Sequence, residues 1–592
     1  MHNRNKGEVA KDFKGTIKKL INYDKSLVTL IIIALILSFI ASILSIIGPD
    51  KLKDITNIIS KSFRTGIDLE KIKIIGLTLV IIYLISAILG YFEGIIMTIV
   101  TNRFQKKMRS DISKKINKLP LSYFDKTTVG DILSRVTNDV DTIGFTMTQS
   151  LSSIVSSLTL LVGSLFMMFY TNYILAISAV LSTIIGLVFV VIIIVKSQKY
   201  FIEVQNSLGE INGHIEEVFS SHNVVKAYNA EDETNDTFDR INDKLFESGR
   251  KSQFLSSLMH PLMGFTGNFG YVVVCVVGSI LVINKTIDFG VIVAFMMYIK
   301  FFTRPLMQIA QSFSGIQSAT AAGERVFDFL DAKEMEKEEN KKLLKPSDCK
   351  GDLEFKNVKF GYDKDKLIIK DFSLKVKKGN KIAIVGPTGA GKTTIVHLLM
   401  KFYNINSGDI IIDNQSIKDL TRENVHDLFT MVLQDTWIFE GSIKENIRYN
   451  NKNITDEEII DACKKVGLDH LIKTLPNGYD TVLNDSDNLS LGEKQLLTIA
   501  RAMLDNRPYL ILDEATSNVD TRTEELVGKA MDKLSKNKTS FIIAHRLSTI
   551  RNADKILVIN NGDIIEQGTH DELLAKKGFY ADLYNSQFNN IE

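Results

Sequence analysis

Two stretches in the C-terminal part of the chain hold residues able to grip and cleave a nucleoside triphosphate. GPTGAGKTT, Gly386 to Thr394, places Gly386, Gly389 and Gly391 around Pro387, Thr388 and Ala390, ahead of Lys392, Thr393 and Thr394. Glycines at these positions let backbone N–H groups close around phosphate oxygens at the positive end of a helix. Lys392 would neutralise the β- and γ-phosphates, and the Thr393 hydroxyl would ligate Mg²⁺. YLILDE, Tyr509 to Glu514, is an apolar strand ending in two carboxylates. Asp513 could hold Mg²⁺ through water, while Glu514 could polarise a water aimed at the γ-phosphate. Between them lies LSLGEKQ, Leu489 to Gln495, an irregular stretch flanked by two regular ones.

Such residues need rigid elements to hold them. Lys381 to Val385 reads as a strand running into the glycine loop, and Lys392 to Phe402 as the helix that follows, the order a phosphate loop requires. Upstream of about Asp331 the pattern is different. Apolar runs long enough to cross a bilayer fall near 27–47, 72–100, 154–170, 173–195, 254–283 and 289–310, which predicts six transmembrane helices, several extending beyond the membrane. The expected fold is therefore an α-helical membrane domain with long cytoplasmic extensions, followed by an α/β phosphate-loop nucleotide-binding domain. Its predicted segments are 1–26, an amphipathic elbow helix; 27–331, the transmembrane domain; 332–350, a charged and solvated linker; and 351–592, the nucleotide-binding domain.

Charge sets the orientation. Arg103, Lys106, Lys107, Arg109, Lys114, Lys115 and Lys118 follow the second span, which places that loop in the cytoplasm. An even number of spans then puts both termini there, with the first span kept as its own insertion signal. Val9, Phe13, Ile17, Leu20 and Ile21 oppose Lys11, Lys14, Lys18 and Lys19, as in a basic helix lying on the inner membrane surface. A formal net charge of +2 gives no reason to propose a nucleic-acid partner. The three cysteines, Cys275, Cys349 and Cys463, are too scattered for a zinc cluster and fit a reducing compartment.

Taken together, these motifs resemble the ATP-binding-cassette (ABC) exporters, and the resemblance covers nearly the whole chain. It implies further roles. Tyr362 would stack on adenine. Gln434, in VLQDTWIF, would touch Mg²⁺ and the attacking water, Asp520 would cross the dimer interface, and His545, in IIAHRLST, would contact the γ-phosphate. The resemblance also implies two cassettes closing head to tail, each nucleotide held between one phosphate loop and the other cassette's signature. Here the usual LSGGQ has become Leu489, Ser490, Leu491, Gly492 and Glu493. Ser490 and Gly492 remain for phosphate contact, while Glu493 brings a carboxylate towards an anionic ligand, partly screened by solvent and ions.

Because a signature serves the partner's nucleotide, the alteration leaves the site on Lys392, Asp513, Glu514 and His545 intact and weakens the opposite one. Two assemblies follow from the resemblance: the competent half of a heterodimer, or a homodimer tolerating the variant. Segments 121–143 and 212–229 resemble the cytoplasmic loops that transmit motion to the membrane. The implied activity is ATP- and Mg²⁺-dependent efflux of amphipathic small molecules or lipids by alternating access, with membrane lipids as surroundings. A non-transporting membrane sensor and an importer on the same fold are the other readings. Glu93, Lys300 and Arg304 are charged residues within or near predicted spans and hence candidates for substrate contact. Richness in Ile, Lys and Asn suggests an AT-rich bacterial genome and so the plasma membrane.

Overall fold

The computed structural model describes residues 10–62, 66–338, 341–363, 366–433, 436–449, 451–484, 489–513, 521–543 and 550–588. Two compact units are formed, one of Met1–Lys118 with Thr127–Lys333 and one of Leu119–Lys126 with Glu334–Glu592.

Among the described residues, six helices of the first unit are long and apolar enough to cross a membrane: Lys25–Ser62, Leu69–Ile116, Val129–Thr171, Tyr173–Ser220, Glu231–Ile283 and Phe289–Leu330. Each outruns its apolar core. The longest has 53 residues, about 80 Å at 1.5 Å per residue against a hydrocarbon core of roughly 30 Å. The extra length is polar, and its amphipathic turns keep the helix going outside the bilayer. Tight packing is allowed where glycine faces a neighbouring span: a Cβ on Gly163 would lie 2.4 Å from Ile46 Cδ1, and one on Gly186 would lie 2.2 Å from Thr266 Oγ1. The sixth span is the most buried of the set.

The helix Phe13–Tyr23 is fastened to the second and sixth long helices. Glu324 accepts the Lys11 and Asp12 amides at 2.8 and 3.1 Å. Lys19 pairs with Asp331 at 2.5 Å, and the Tyr23 hydroxyl donates to Asp111 at 2.6 Å. After the second span the chain makes two short helices, Leu121–Phe124 and Val129–Ser134, then a π-helical turn, Arg135–Asp139. Buried Asp139 in that turn accepts two hydrogen bonds from Arg325, at 3.0 and 2.5 Å, tying the loop to the sixth helix.

In the second unit a six-stranded sheet runs in the order Asp563–Gly568, Lys555–Asn560, Lys381–Val385, Thr539–Ile543, Tyr509–Asp513, Phe429–Val432. All its pairs are parallel except the first. Strand residues alternate between two cores: Ala383, Val385, Leu510, Leu512 and Ile542 face one, and Ile382, Ile384, Ile511, Phe541 and Ile543 face the other. A parallel sheet covered on both faces needs this continuous apolar sequence. A four-stranded antiparallel sheet, including Leu353–Phe360 and Ile369–Val376, packs into the second core.

The stretch expected to be a solvated linker contributes to this unit. Leu344 enters the second core. The largely buried Glu338 carboxylate accepts from Lys401 Nζ at 2.9 Å, Lys341 Nζ at 3.1 Å and the Arg422 amide at 2.5 Å. Burial alone would raise its pKa, but the Arg422 amide and the two ammonium groups outweigh this and hold it at about 2. A carboxylate depressed from 4.5 in this way stabilises the fold fully above about pH 4.5 and loses that contribution as pH falls towards 2. Glu338→Gln is expected to cost about 2–4 kcal/mol at pH 7 by stranding buried Lys401. Thermal unfolding of the full chain in detergent checks this: the gap between wild type and variant should narrow as pH is lowered from 5 to 3.

Candidate nucleotide site

Strand Lys381–Val385 delivers the phosphate loop, and helix Lys392–Leu399 leaves it. Gly386 has φ +157°, and a Cβ there would sit 2.2 Å from the Ile559 carbonyl oxygen; Gly391 has φ +103° and begins the helix. Both therefore require glycine. Lys392 is buried, its Nζ donating to the carbonyls of Gly386 at 2.8 Å and Pro387 at 3.1 Å. These are the loop's own acceptors, so the ammonium is curled over the cradle that phosphate oxygens would fill. Burial pushes its pKa down, and the nearby charge of Asp513 opposes the shift. Pro387, Thr388, Gly389 and Thr393 are exposed, Ala390 is buried, and Thr394 is buried behind them.

Parallel register assembles the rest. Ile384 pairs with Ile543, Ile543 with Asp513, and Leu512 with Val432, so four strands end at one edge of the sheet. Asp513 is buried at that edge. Gln434, Glu514, Asp520 and His545 lie outside the described residues. Asp513 and the exposed Thr393 hydroxyl form a hard-oxygen donor set suited to Mg²⁺.

Tyr362 is part of an aromatic group that the sequence did not announce. Its hydroxyl lies 3.3 Å from Thr394 Oγ1 and 3.2 Å from His397 Nδ1, and its ring meets Tyr403 edge-on at 5.0 Å. The Tyr403 hydroxyl donates to Asp125 at 2.6 Å. Asp125 ends the short loop helix that groups with this unit, so the residue expected to carry adenine touches a residue bonded to the loop that follows the second span. Lys-Phe-Tyr directly after the phosphate-loop helix was the available signal.

At the signature, Ser490 caps the helix Leu491–Met503. Its Oγ accepts the Glu493 amide at 3.3 Å while Glu493 Oε2 accepts the Ser490 amide at 2.7 Å. This is a capping box, legible in the spacing Ser-x-x-Glu. The Glu493 carboxylate is thus engaged by a backbone donor, which lessens its repulsion of a nearby anion. The Ser490 hydroxyl proton and the first helical amides, including that of Gly492, can donate to phosphate oxygens. Leu491 stands between them with 48% of its surface exposed. Beside this helix start lies a cavity of about 410 Å³ lined by Thr436, Trp437, Phe439, Asn484 and Lys494.

The three intramembrane charges are not brought together. Glu93 on the second span accepts from Ser152 on the third, whereas Lys300 and Arg304 are exposed on the sixth. Each cation at bilayer depth costs about 2.5–3.5 kcal/mol in contact with lipid, so a water-lined face is favoured.

Residues 31–306 match the ABC transporter transmembrane region family and residues 369–517 the ABC transporter family. The chain is 43% identical over 500 residues to the fatty acid ABC transporter ATP-binding/permease protein of Mycobacterium bovis, covering 84% of this chain and 79% of that one. It is 40% identical over 585 residues to the ABC transporter ATP-binding protein YfiC of Bacillus subtilis, with 98% and 95% covered. Against the ATP-dependent lipid A-core flippase of Syntrophus aciditrophicus the identity is 34% over 522 residues, with 88% and 86% covered.

Proposed function

Given that this chain belongs to the ABC transporter family, as a half-transporter of the exporter type, we propose that it is the hydrolytically competent half of a heterodimer that exports amphipathic molecules or lipids. Transport in this family is coupled to ATP hydrolysis and carried out by dimers, and its relatives here are bacterial membrane proteins. The plasma membrane, with both termini in the cytoplasm, is the location we infer.

Leu491 carries the heterodimer reading. It stands exposed at the first turn of the signature helix, between the hydroxyl and the amide that would meet the partner's nucleotide. A leucine side chain in that gap hinders close approach of a phosphate to the Gly492 amide, and the site it weakens is built on the partner's phosphate loop. On this chain's own side, buried Lys392, exposed Thr393 and buried Asp513 support a reading in which this chain's phosphate loop binds triphosphate and Mg²⁺. Thr393 and Asp513 would hold Mg²⁺, which would supply positive charge to offset the negative charge developing on the phosphates. Glu514 would orient and deprotonate the attacking water, Gln434 would touch Mg²⁺ and that water, and His545 would contact the γ-phosphate.

For transmission, the second loop ends in the short helix His222–Ala227, flanked by Phe219 and Tyr228, 77% and 80% exposed. Two exposed aromatics at a loop tip suit docking on a second cassette. Purifying this chain alone tests the assembly. Slow or absent turnover, restored by a co-expressed second half-transporter, is expected; substrate-stimulated hydrolysis by a homogeneous dimer of this chain would overturn the heterodimer.

A further inference from the structure

Lys300, Arg304, Gln308 and Gln311 recur at intervals of four, four and three residues, which aligns them on one side of the sixth helix. All four are exposed, while Phe295, Tyr298, Ile299 and Thr303 are buried on the other side. From the outer end of the helix at Phe289, Lys300 lies about 16 Å and Arg304 about 22 Å inward at 1.5 Å per residue, within a hydrocarbon core of roughly 30 Å. Neither cation forms a salt bridge among the described residues, and Glu93, the carboxylate of the second span, accepts from Ser152. Gln308 accepts from Ser157 through Oε1 at 2.9 Å, which leaves its amide NH₂ to donate. Pro305 has no N–H, so the Phe301 carbonyl lacks its helical donor and the helix can bend beside Arg304.

Room lies alongside. A Cβ on Gly270 of the fifth span would sit 3.5 Å from Ile299, and one on Gly267 would sit 3.9 Å from Thr303, but one on Gly264 would meet nothing within 4 Å. Phe265 is exposed next to that open space.

We infer that this stripe is the headgroup track for an acidic amphiphile, a carboxylate or phosphate monoester on a long apolar chain. The inference rests on the export reading above and narrows its substrate class. Two like charges at bilayer depth repel each other and need a counter-anion, and the glutamines extend the track with neutral donors. A substrate bringing its own negative charge supplies what the helix lacks, whereas a cationic one adds to the repulsion.

Four probes with one C18 chain separate the headgroups: oleate, oleoyl lysophosphatidate, uncharged monoolein and cationic oleylamine. Binding is measured to the complete dimeric transporter in nanodiscs of zwitterionic lipid. Wild type is expected to prefer both acids to monoolein by at least about tenfold. The Lys300→Gln/Arg304→Gln double variant should reduce that preference to within about twofold, Arg304→Lys should keep it, and Arg304→Glu should abolish it, because the new carboxylate pairs with Lys300 one turn away. Acid preference unchanged in the double variant, or absent in wild type, overturns the track. Should ATP then still drive monoolein across vesicles, the export reading survives; should ATP drive none of the four, that reading falls as well.

Discussion

Glu514→Gln is expected to lower ATP turnover by about 10²- to 10⁴-fold while leaving ATP affinity nearly unchanged. The amide has nearly the shape of the carboxylate and loses only the ability to take a proton from water. Strand Tyr509–Asp513, which immediately precedes Glu514 in sequence, ends at the sheet edge where the phosphate-loop strand also ends. The loss corresponds to roughly 3–5 kcal/mol of transition-state stabilisation. Steady-state hydrolysis beside equilibrium binding of a fluorescent ATP analogue separates the two quantities. Hydrolysis at the wild-type rate would remove Glu514 from the role of base.

Lys392→Met should act one step earlier. The lysine is held over the loop by two carbonyls of that same loop, and in the occupied site its ammonium would exchange those for phosphate oxygens. Losing one desolvated, charge-assisted contact costs about 3 kcal/mol, close to a hundredfold in ATP affinity. Folding should survive, since methionine fills the same buried volume and the glycine geometry is set by Gly386 and Gly391. Trp437, the chain's one tryptophan, lies in the cassette and offers an intrinsic fluorescence check on that fold. ATP binding within threefold of wild type would contradict the assignment.

The phosphate-binding strand, loop and helix were legible because each follows from local chemistry: an apolar run, glycines at positive φ, then a helix. The spans were legible for the same reason, since twenty apolar residues in a row have few other uses. Their full lengths were not, because the polar turns that extend Glu231–Ile283 beyond its apolar part carry no membrane signal. Glu338 was read as one charge in a solvated run; its burial depends on Lys401 and Arg422, some sixty and eighty positions away, and only tertiary structure brings them together. Glu493 was read as a charge facing an anion, although Ser490 three residues earlier already announced a capping box. Tyr403 and His397 were missed because a lone tyrosine and histidine in a helix-turn read as ordinary surface until Asp125 and Tyr362 are seen beside them.

The central claim is that hydrolysis at this chain's own phosphate loop drives an amphiphile across the membrane. Its most direct test places the co-expressed dimer in sealed vesicles and follows a labelled long-chain acid, with and without ATP and Mg²⁺, for wild type and Glu514→Gln. Net movement by wild type that needs both ATP and Mg²⁺ and disappears in the variant is the predicted result. Movement of equal rate in Glu514→Gln, or brisk ATP hydrolysis by wild type with no movement of any amphiphile tested, would contradict it.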